Sequence, residues 1–333
     1  MTGPEVGWGI VGPGRIASSL VPDFAHVPGA SVVAVASRSA ERAKTFAAAH
    51  GIDRAYGSYA EIMLDEDVDV CYISTPHPQH YRIALAAIEA GKAVLVEKTF
   101  TATVLGAEEV VRAARSRGVF AMEAMWTRFQ PAIVAARRLV DEGAIGEVRQ
   151  VQADLGVDRP YHPADRLFDP AQGGGALLDL GVYPVSFAHY FLGVPDSIDV
   201  VGSLAPTGVD LEAGLLLGFR DGRAASLLIS LRNPTPGAAR LHGTGGWLEV
   251  PPRFHHPDRI ILGRTGQQPE TIIEPQLGSG YCHELIEVTE AVRAGRTESA
   301  IMPLDDTLAV QRTLNSACEA LGVHHSEDHS TTV

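Results

Sequence analysis

The sequence predicts an α/β protein made of two domains. A doubly wound N-terminal domain covers residues 1–125, and an α+β C-terminal domain, built on an open and mainly antiparallel sheet, covers residues 126–333. The chain has 333 residues, which is more than one hydrophobic core usually serves. Up to residue 125, apolar runs of strand length alternate with segments of helix length, which is typical of a parallel sheet covered by helices. Between about residues 198 and 273, short strands follow one another across Gly and Pro turns, which favours an antiparallel sheet.

The first predicted strand leads directly into a glycine-rich turn. Residues 6–20 read VGWGIVGPGRIASSL, the pattern of a strand, a tight turn and the start of a helix. Gly12 permits the turn, Gly14 lets the backbone approach a pyrophosphate, and Ala17 allows close packing of helix on strand. Such a turn also occurs where nothing binds, but its place at the start of a doubly wound sheet favours a Rossmann dinucleotide site. The predicted phosphate-binding residues are Gly12, Pro13, Gly14, Arg15 and Ile16.

Capping residues and apolar runs mark the other elements of the N-terminal domain. The near-continuous run SVVAVAS at 31–37 predicts a strand that is buried on both faces of the sheet. Ser39 can cap the following helix and Gly51 can end it, and Ser58 with Glu61 forms a capping box for another short helix. The remaining predictions are strands at 68–74, 93–98 and 119–125 and helices at 78–91 and 103–118.

The pattern changes near Trp126, where the C-terminal domain begins. A long helix is predicted at 130–143 and a strand at 147–155, followed by a polar loop. Three glycines at 173–175 then open an apolar helix that reaches Phe191. The last residues, HHSEDHSTTV, are expected to form a frayed tail. The remaining predictions are strands at 214–219, 224–231 and 247–250 and two closing helices at 282–294 and 305–321.

The charge and the composition of the chain disfavour several classes of partner. A formal net charge of −13 repels phosphate backbones and anionic lipid surfaces. No stretch approaches the run of about eighteen apolar residues that a membrane span needs, and no apolar signal segment precedes the first strand. We therefore expect a cytoplasmic protein that binds neither nucleic acid nor membranes. The three cysteines, Cys71, Cys282 and Cys318, are odd in number and far apart, which favours reduced thiols over disulfides.

The end of the second predicted strand determines which dinucleotide fits. An acidic residue about twenty positions after the glycines would hold a ribose 2′-hydroxyl, whereas this chain has Ser37, Arg38 and Ser39 there. Arg38 can pair with a 2′-phosphate and lie flat on the adenine, and the serines can add hydrogen bonds. This pattern favours NADP(H) over NAD(H). The alternative is a solvated arginine at the start of a helix.

Three further side chains could carry chemistry. Lys98 lies at the carboxyl end of a predicted strand of the parallel sheet, and ligands of doubly wound sheets bind beyond such strand ends. A solvated lysine at a strand end is an equally good interpretation. Asp179 and Tyr183, four residues apart, share one face of the predicted helix, but a phenol exchanges protons near neutrality only beside a cation. Taken alone, a core tyrosine and an aspartate at a helix N-terminus are the simpler interpretation.

Five segments, taken in this order and at these distances, give the chain a resemblance to a known family. They are GIVGPGRIA from Gly9, STPHPQH from Ser74, EKTF from Glu97, MEAMWTRFQP from Met122 and GGGALLDLGVYPV from Gly173. Together they resemble the Gfo/Idh/MocA oxidoreductase family, and within it the branch of dimeric dihydrodiol dehydrogenases and NADP-dependent D-xylose dehydrogenases. The glycine turn is unspecific, whereas EAMWTRF and GGALLDLGVY are specific to this branch. The resemblance covers nearly the whole chain.

The resemblance implies roles for residues of both domains. It makes Lys98 the catalytic lysine of the family's E-K-P motif, with Thr99 in place of the proline. It makes Tyr183 the general acid/base and gives Asp179 the task of orienting the substrate hydroxyls. The residues that it places around the cofactor and the sugar are Ser74, Thr75, His77, His80, Glu97, Trp126, Arg128 and Phe129.

Together these observations predict an enzyme that transfers a hydride between NADP(H) and an aldose or a related polyol or diol. Tyr183 would move the hydroxyl proton, and Lys98 would hold the pKa of the phenol down. The alternatives are a ketoreductase of a nucleotide-linked sugar and a non-catalytic NADP(H) sensor. No histidine spacing forms a complete ligand set, so no metal is expected. The resemblance also implies a homodimer or a dimer of dimers formed through the C-terminal sheet.

Overall fold

The computed structural model describes residues 5–333. The chain divides into two compact units. The first unit contains the chain up to Met125 together with Leu277–Leu308 and Ser326–Val333, and the second contains Trp126–Gln276 and Ala309–His325. The N-terminal unit therefore also includes segments from the C-terminal part of the chain.

A parallel sheet forms the centre of the first unit. Its strands are β1 (Val6–Val11), β2 (Ala30–Ala36), β3 (Arg54–Tyr56), β4 (Val70–Ile73), β5 (Ala93–Glu97) and β6 (Ala121–Ala124). They are arranged in the order β3-β2-β1-β4-β5-β6, and every pairing is parallel. The order reverses between β1 and β4, which is the doubly wound topology that binds ligands at this switch point. The predicted α/β class is confirmed, although β3 is an edge strand that the sequence pattern did not reveal.

Helices between the strands complete this part of the first unit. They are α1 (Arg15–Leu20), α2 (Ala40–His50), α3 (Tyr59–Met63), α4 (His77–Glu89) and α5 (Val104–Arg117), with a 3-10 segment at Val21–His26 after α1. The predicted caps are present. The Ser39 and Ser58 hydroxyls accept backbone N–H groups at the starts of α2 and α3, and Gly51 ends α2 in the left-handed conformation. These local signals explain why the predicted helices are found where expected.

An eight-stranded sheet forms the centre of the second unit. Its strands are β7 (Val148–Gly156), β8 (Ser197–Leu204), β9 (Asp210–Gly218), β10 (Ala224–Ser230), β11 (Ala239–Gly243), β12 (Gly246–Val250), β13 (Arg259–Arg264) and β14 (Glu270–Ile273). They are arranged in the order β14-β13-β12-β11-β7-β10-β9-β8. Among the described strands of this sheet, only β10 and β7 pair in parallel. The predicted open, mainly antiparallel sheet is confirmed.

The predicted site residues of the second unit lie at or just before the starts of two of its helices. After a 3-10 turn at Trp126–Phe129 comes α6 (Pro131–Asp141), whose first residue has the fixed φ of proline. The apolar helix predicted after the glycines begins with a π-helical turn at Leu177–Gly181 and continues as α7 (Val182–Leu192). α7 packs on β7 and β10. The segment that contains Asp179 and Tyr183 therefore lies against the centre of the eight-stranded sheet.

Two helices close the chain as predicted, but the expectation of a frayed tail is wrong. The helices are α8 (Cys282–Arg293) and α9 (Leu304–Ala320). In the tail, the Glu327 carboxylate accepts hydrogen bonds of 2.8 Å from both the backbone N–H and the hydroxyl of Thr103. The N–H of Asp328 donates to the carbonyl of Pro78 at 2.7 Å. The tail is therefore bound to the starts of α4 and α5, which its polar composition does not indicate.

The cysteines and the lengths of the helices relate to two further features of the sequence. Cys71, Cys282 and Cys318 are buried free thiols, as the odd number and wide spacing predict. Among the residues that the structure describes, no helix has both the length and the apolar character needed to cross a bilayer.

Candidate active site

The glycine turn between β1 and α1 has the geometry of a phosphate cradle. Gly12 has a φ of +94°, and a Cβ there would lie 2.7 Å from Cγ2 of Thr75. The Ser74 hydroxyl donates to the Gly12 carbonyl oxygen at 2.8 Å, which joins the turn to the end of β4. A Cβ on Gly14 would have no heavy atom nearer than 3.9 Å. A phosphate group therefore has room to approach the Gly14 backbone beside the N-terminus of α1, where Arg15 is exposed and Pro13 and Ile16 are half-buried.

The segment after β2 offers a cation and no carboxylate. Ser37 is buried and its hydroxyl accepts the backbone N–H of Ser39 at 3.3 Å. Arg38 between them is exposed. Its guanidinium lies beside Tyr59, where burial raises the pKa of the phenol and the charge of Arg38 opposes that rise. The donors at this strand end therefore suit an anionic group on a ribose.

Two histidines at the start of α4 lie next to the end of β4. The rings of His77 and His80 are in edge-to-face contact, with centroids 5.8 Å apart. His80 is fully buried, its Nε2 lying 2.7 Å from the Thr75 carbonyl oxygen and its Nδ1 lying 3.1 Å from the Thr99 carbonyl oxygen. Because carbonyl oxygens only accept, both contacts are hydrogen bonds only when both ring nitrogens bear hydrogen. His80 thus links the segment after β4 to the segment after β5.

Lys98 directly follows β5, and hydrogen bonds hold the backbone on both sides of it. The hydroxyl of Tyr72 donates to one Glu97 carboxylate oxygen at 2.6 Å, and the backbone N–H of Lys98 lies 3.2 Å from the other oxygen. The peptide bond between Lys98 and Thr99 is cis. The backbone N–H of Phe100 donates to the buried Glu123 carboxylate at 3.1 Å. The backbone on both sides of Lys98 is therefore held by side chains from neighbouring strands.

A second buried acid lies close to Glu97. Glu284 on α8 is only 1% exposed, and burial, followed by the charge of Glu97, raises the pKa of its carboxyl well above the ordinary value. Burial also raises the pKa of Tyr72 strongly, with Glu97 again contributing. This environment opposes a second negative charge and therefore favours the neutral form of the Glu284 carboxyl.

The aromatic segment that opens the second unit is mostly buried. The rings of Trp126 and His256 have their centroids 5.1 Å apart. Arg128 is 2% exposed, its Nε contacts the Ser186 hydroxyl at 3.3 Å, and its guanidinium lies 4.8 Å from the centre of the Tyr190 ring. Arg128 therefore stacks on α7 inside the second unit, and Phe129 beside it is also buried.

The glycines before α7 allow three segments to approach closely. A Cβ on Gly174 would lie 2.7 Å from the backbone oxygens of both Arg166 and Leu167. Gly175 has a φ of +121°, and a Cβ there would lie 2.3 Å from Oδ1 of Asp210. The glycine run is thus needed for packing against the preceding loop and the start of β9.

Asp179 and Tyr183 project from the π-helical turn and from the first turn of α7. The Asp179 carboxylate forms an ion pair with Arg166, at 2.9 Å between Nη2 and Oδ1. The ring of Tyr183 lies 5.2 Å from the ring of His255, centroid to centroid. A carboxylate, a guanidinium, a phenol and an imidazole therefore occur around the same helix start, which suits recognition of several hydroxyl groups.

Each unit brings together its own share of the predicted site residues. In the first unit, the predicted residues lie at or after the carboxyl ends of four neighbouring strands. They are the glycine turn, Ser37, Arg38, Ser74, Thr75, His77, His80, Glu97 and Lys98. In the second unit, Asp179 and Tyr183 share one helix start, while Trp126 and Arg128 belong to the segment before α6.

Sequence reasoning missed Arg166, His255 and Glu284. Each of them contacts or perturbs a predicted residue from a distant part of the chain. The only signal was the polar character of the loop before the glycines and the His255-His256 pair, neither of which has a diagnostic spacing.

The comparisons with known proteins agree with this architecture. Residues 6–125 match the family profile described as an oxidoreductase family with an NAD-binding Rossmann fold, and residues 133–249 match the GFO/IDH/MocA C-terminal domain. A trans-1,2-dihydrobenzene-1,2-diol dehydrogenase of Mus musculus is 37% identical, and the alignment covers 96% of this chain and 98% of the relative. The dehydrogenase of the same name from Homo sapiens is 36% identical with the same coverage.

Solved structures extend the likeness to three dimensions. An aldose-aldose oxidoreductase from Caulobacter crescentus is 27% identical with a TM-score of 0.86, covering 96% of this chain and 98% of that protein. A 3-ketoreductase from Actinomadura kijaniata, in complex with NADP and TDP-benzene, is 27% identical with a TM-score of 0.83, covering 95% of this chain and 98% of that protein. The chain belongs to the Gfo/Idh/MocA family of NAD(P)-dependent oxidoreductases.

Proposed function

We propose that this enzyme oxidises a secondary hydroxyl group of a sugar, polyol or diol with NADP⁺, or reduces the corresponding carbonyl with NADPH. The observation that carries the proposal is the helix start that presents Tyr183 beside His255 and Asp179 beside Arg166. A phenol can exchange the hydroxyl proton, and the ion pair can bind neighbouring hydroxyl groups. The relatives named above act on a dihydrodiol and on aldoses, which supports the same substrate class.

The preference for NADP(H) is part of the proposal and is supported by the exposed Arg38. A 2′-phosphate gains a charge-assisted contact with this guanidinium, and position 37 holds a serine in place of an acidic residue. The ketoreductase of similar structure was solved with NADP. Arg38→Ala should raise the KM for NADP⁺ at least about tenfold, because it removes one charged contact worth about 1.5–3 kcal/mol. The KM for NAD⁺ should stay unchanged.

A nearby arginine offers a matched control for the cofactor test. Arg42, also exposed, is another of the charges that oppose the raised pKa of Tyr59. Arg42→Ala should change the ratio of the two KM values by less than about threefold, because its position in the first turn of α2 is further from the end of β2. A preference for NAD⁺ in the unmodified enzyme would contradict the assignment.

Oxidation of the hydroxyl group needs one group that accepts a proton and one that accepts a hydride. A bound nicotinamide would supply the acceptor for the hydride, that is, for the hydrogen on the carbinol carbon with its electron pair. Tyr183 takes the proton of the hydroxyl group, so that the C–O single bond becomes a carbonyl. By its resemblance to the lysine of the family's E-K-P motif, Lys98 would supply the positive charge that favours a phenolate and stabilises the alkoxide as it forms. The reverse reaction returns both hydrogens.

Removal of the phenolic hydroxyl tests this assignment. Tyr183→Phe should lower kcat by about 10²- to 10⁴-fold, the range of general acid–base catalysis, and leave the Kd for NADPH nearly unchanged in a fluorescence titration. Tyr190→Phe, on the same helix, is the matched control, because its ring retains the contact with Arg128. A Tyr183→Phe enzyme that keeps most of its kcat would show that the tyrosine is structural.

A panel of substrates distinguishes the two enzymatic possibilities. Aldoses, diols and keto sugars should be turned over if the proposal is correct. The similarity to a ketoreductase solved with TDP-benzene makes nucleotide-linked keto sugars the second candidate class. Turnover confined to these compounds would favour that class, whereas tight NADPH binding without turnover of any compound would favour a sensor.

We also propose that two copies associate through the open face of the second sheet. Val201, Leu216 and Leu228 are 74%, 51% and 59% exposed, and the pairing of β8, β9 and β10 brings them onto one face. Light scattering should give a mass of about twice 35.4 kDa. Leu228→Glu should yield monomers, whereas Leu64→Glu, at an exposed leucine of the first unit, should leave the dimer intact. A monomeric wild-type protein at micromolar concentration would refute the proposal.

A further inference from the structure

Three side chains from distant parts of the chain meet at one end of α9 in the second unit. Asp210 is the first residue of β9, Cys318 lies in the last turn of α9, and His325 follows that helix. Each offers one ligand atom, and these atoms all lie within 4.8 Å of one another. Among residues 5–333, they form the one group of this kind.

Three polar atoms of this group are buried and have no hydrogen-bond partner. Asp210 is 0% exposed and Cys318 is 2% exposed. One Asp210 oxygen accepts the backbone N–H of Leu177 at 2.6 Å, but Oδ1 has no hydrogen-bond partner. Neither ring nitrogen of His325 has one. Buried polar atoms normally have hydrogen-bond partners, because removing them from water without one is costly. A ligand bound by this cluster would offset that cost.

We propose that Asp210, Cys318 and His325 bind a zinc ion. A thiolate, a carboxylate and a neutral imidazole form a mixed sulfur, oxygen and nitrogen set that suits Zn²⁺. Two negative ligands balance the two positive charges of the ion, so the buried site is neutral overall. Three protein ligands leave a fourth position for water. The chain spacing of these residues follows no known pattern, which is why the sequence did not indicate a metal.

The geometry is compatible with tetrahedral coordination. Bond lengths of about 2.0–2.3 Å place the ligand atoms of a tetrahedral zinc site about 3.3–3.6 Å apart. The three ligand atoms lie within 4.8 Å of one another, so the side chains would have to move inward by little more than about 1 Å to reach this spacing. A neutral imidazole has one ring nitrogen whose lone pair is available to a metal ion.

The bound ion would have a structural role next to the candidate active site. It would join the start of β9 to the C-terminal end of α9 and to the segment after it. The same aspartate binds Leu177, which opens the π-helical turn that contains Asp179. This inference rests on the cluster alone and does not depend on the proposed substrate or cofactor.

Metal analysis of the wild-type protein is the first test. Tag-free protein is stripped with a chelator, incubated with zinc sulfate and desalted, and its zinc content is then measured. We expect about one zinc per chain and a higher Tm than that of the stripped protein. Cobalt in place of zinc should give the thiolate-to-metal charge-transfer absorption of a cysteine ligand. Zinc below about 0.1 per chain, with no such absorption, would overturn the proposal and leave a buried polar cluster that holds water.

Matched variants locate the site without an activity measurement. Cys318→Ser and His325→Gln should weaken zinc binding by at least about 100-fold, because losing a group that only orients a ligand already costs about 10–100-fold. Cys282→Ser, at a buried cysteine of the first unit, and His324→Gln, at the exposed neighbouring histidine, should bind zinc like the wild type. Equal affinity in all four variants, or equal loss in the controls, would refute this ligand set.

Discussion

Replacing His80 with leucine should destabilise the first unit. The imidazole is 0% exposed, and its two nitrogens lie 2.7 Å and 3.1 Å from the carbonyl oxygens of Thr75 and Thr99. Leucine fills a similar volume without a donor, so both carbonyl groups lose this partner. Because a buried polar group left unsatisfied costs about 1–3 kcal/mol, we expect a loss of about 1–3 kcal/mol for each carbonyl group to which the imidazole donates. This is a large fraction of the about 5–15 kcal/mol by which domains are usually stable.

Urea unfolding with linear extrapolation measures this loss. His80→Gln should be intermediate, because its amide can donate to one of the two carbonyl groups. His50→Leu is the control: His50 lies at the end of α2 and its ring packs on Phe46 with the centroids 4.3 Å apart, and its loss should cost less than about 1 kcal/mol. A His80→Leu protein as stable as the wild type would refute the reasoning.

The same variant separates a positioning role of His80 from contact with the cofactor. A displacement of about 1 Å in a catalytic group can cost about 100-fold in rate, so release of the Thr99 carbonyl next to Lys98 should lower kcat by about 10- to 100-fold. The Kd for NADPH should change by less than about threefold, because both ring nitrogens contact backbone carbonyl oxygens. A raised Kd with an unchanged kcat would instead assign His80 to the cofactor.

Three further changes test the interior of the protein. Burial, followed by the charge of Glu97, raises the pKa of Glu284 in the folded protein. The unfolded chain therefore ionises this carboxyl above its ordinary pKa of 4.5, and the folded state loses stability relative to it as the pH rises. Glu284→Gln should raise the free energy of unfolding by about 1–3 kcal/mol at pH 8 and leave it unchanged at pH 4. Asp23 accepts three backbone N–H groups before and at the start of α8, so Asp23→Ala should lower the urea-derived stability by at least about 3 kcal/mol, and a loss below 1 kcal/mol would contradict this. Gly175→Ala, at a φ of +121° and against Oδ1 of Asp210, should cost at least about 1–3 kcal/mol in thermal unfolding.

The parts of the fold that could be predicted are those set by local sequence. The Ser39 and Ser58 caps, the left-handed Gly51 and the positive φ of Gly12 depend on backbone rules that act within a few residues. The strand at 70–73 and the switch after it follow from an apolar run bounded by polar residues. These signals suffice for the doubly wound order and therefore for the position of the cofactor-binding strand ends.

The parts that could not be predicted depend on contacts between distant segments. The pairing of Asp179 with Arg166 and the contact of Tyr183 with His255 need the loop and the sheet to be in place first. The tail was judged on composition, but Glu327 is bound because Thr103 presents an N–H and a hydroxyl at the start of α5. Side-chain chemistry reveals what a residue can do, whereas tertiary structure determines which partner it meets.

The position of Lys98 shows how this structure holds the segment after β5 without the proline of the family motif. Three neighbours fix the backbone around it: Tyr72 from β4 binds the Glu97 carboxylate, His80 from α4 contacts the Thr99 carbonyl, and Glu123 from β6 accepts the N–H of the next residue. A proline ring would constrain only one φ angle at this place, whereas these contacts fix the segment from three elements. Because all three side chains are buried, water does not compete for these contacts, and the threonine at position 99 leaves the backbone of Lys98 well ordered.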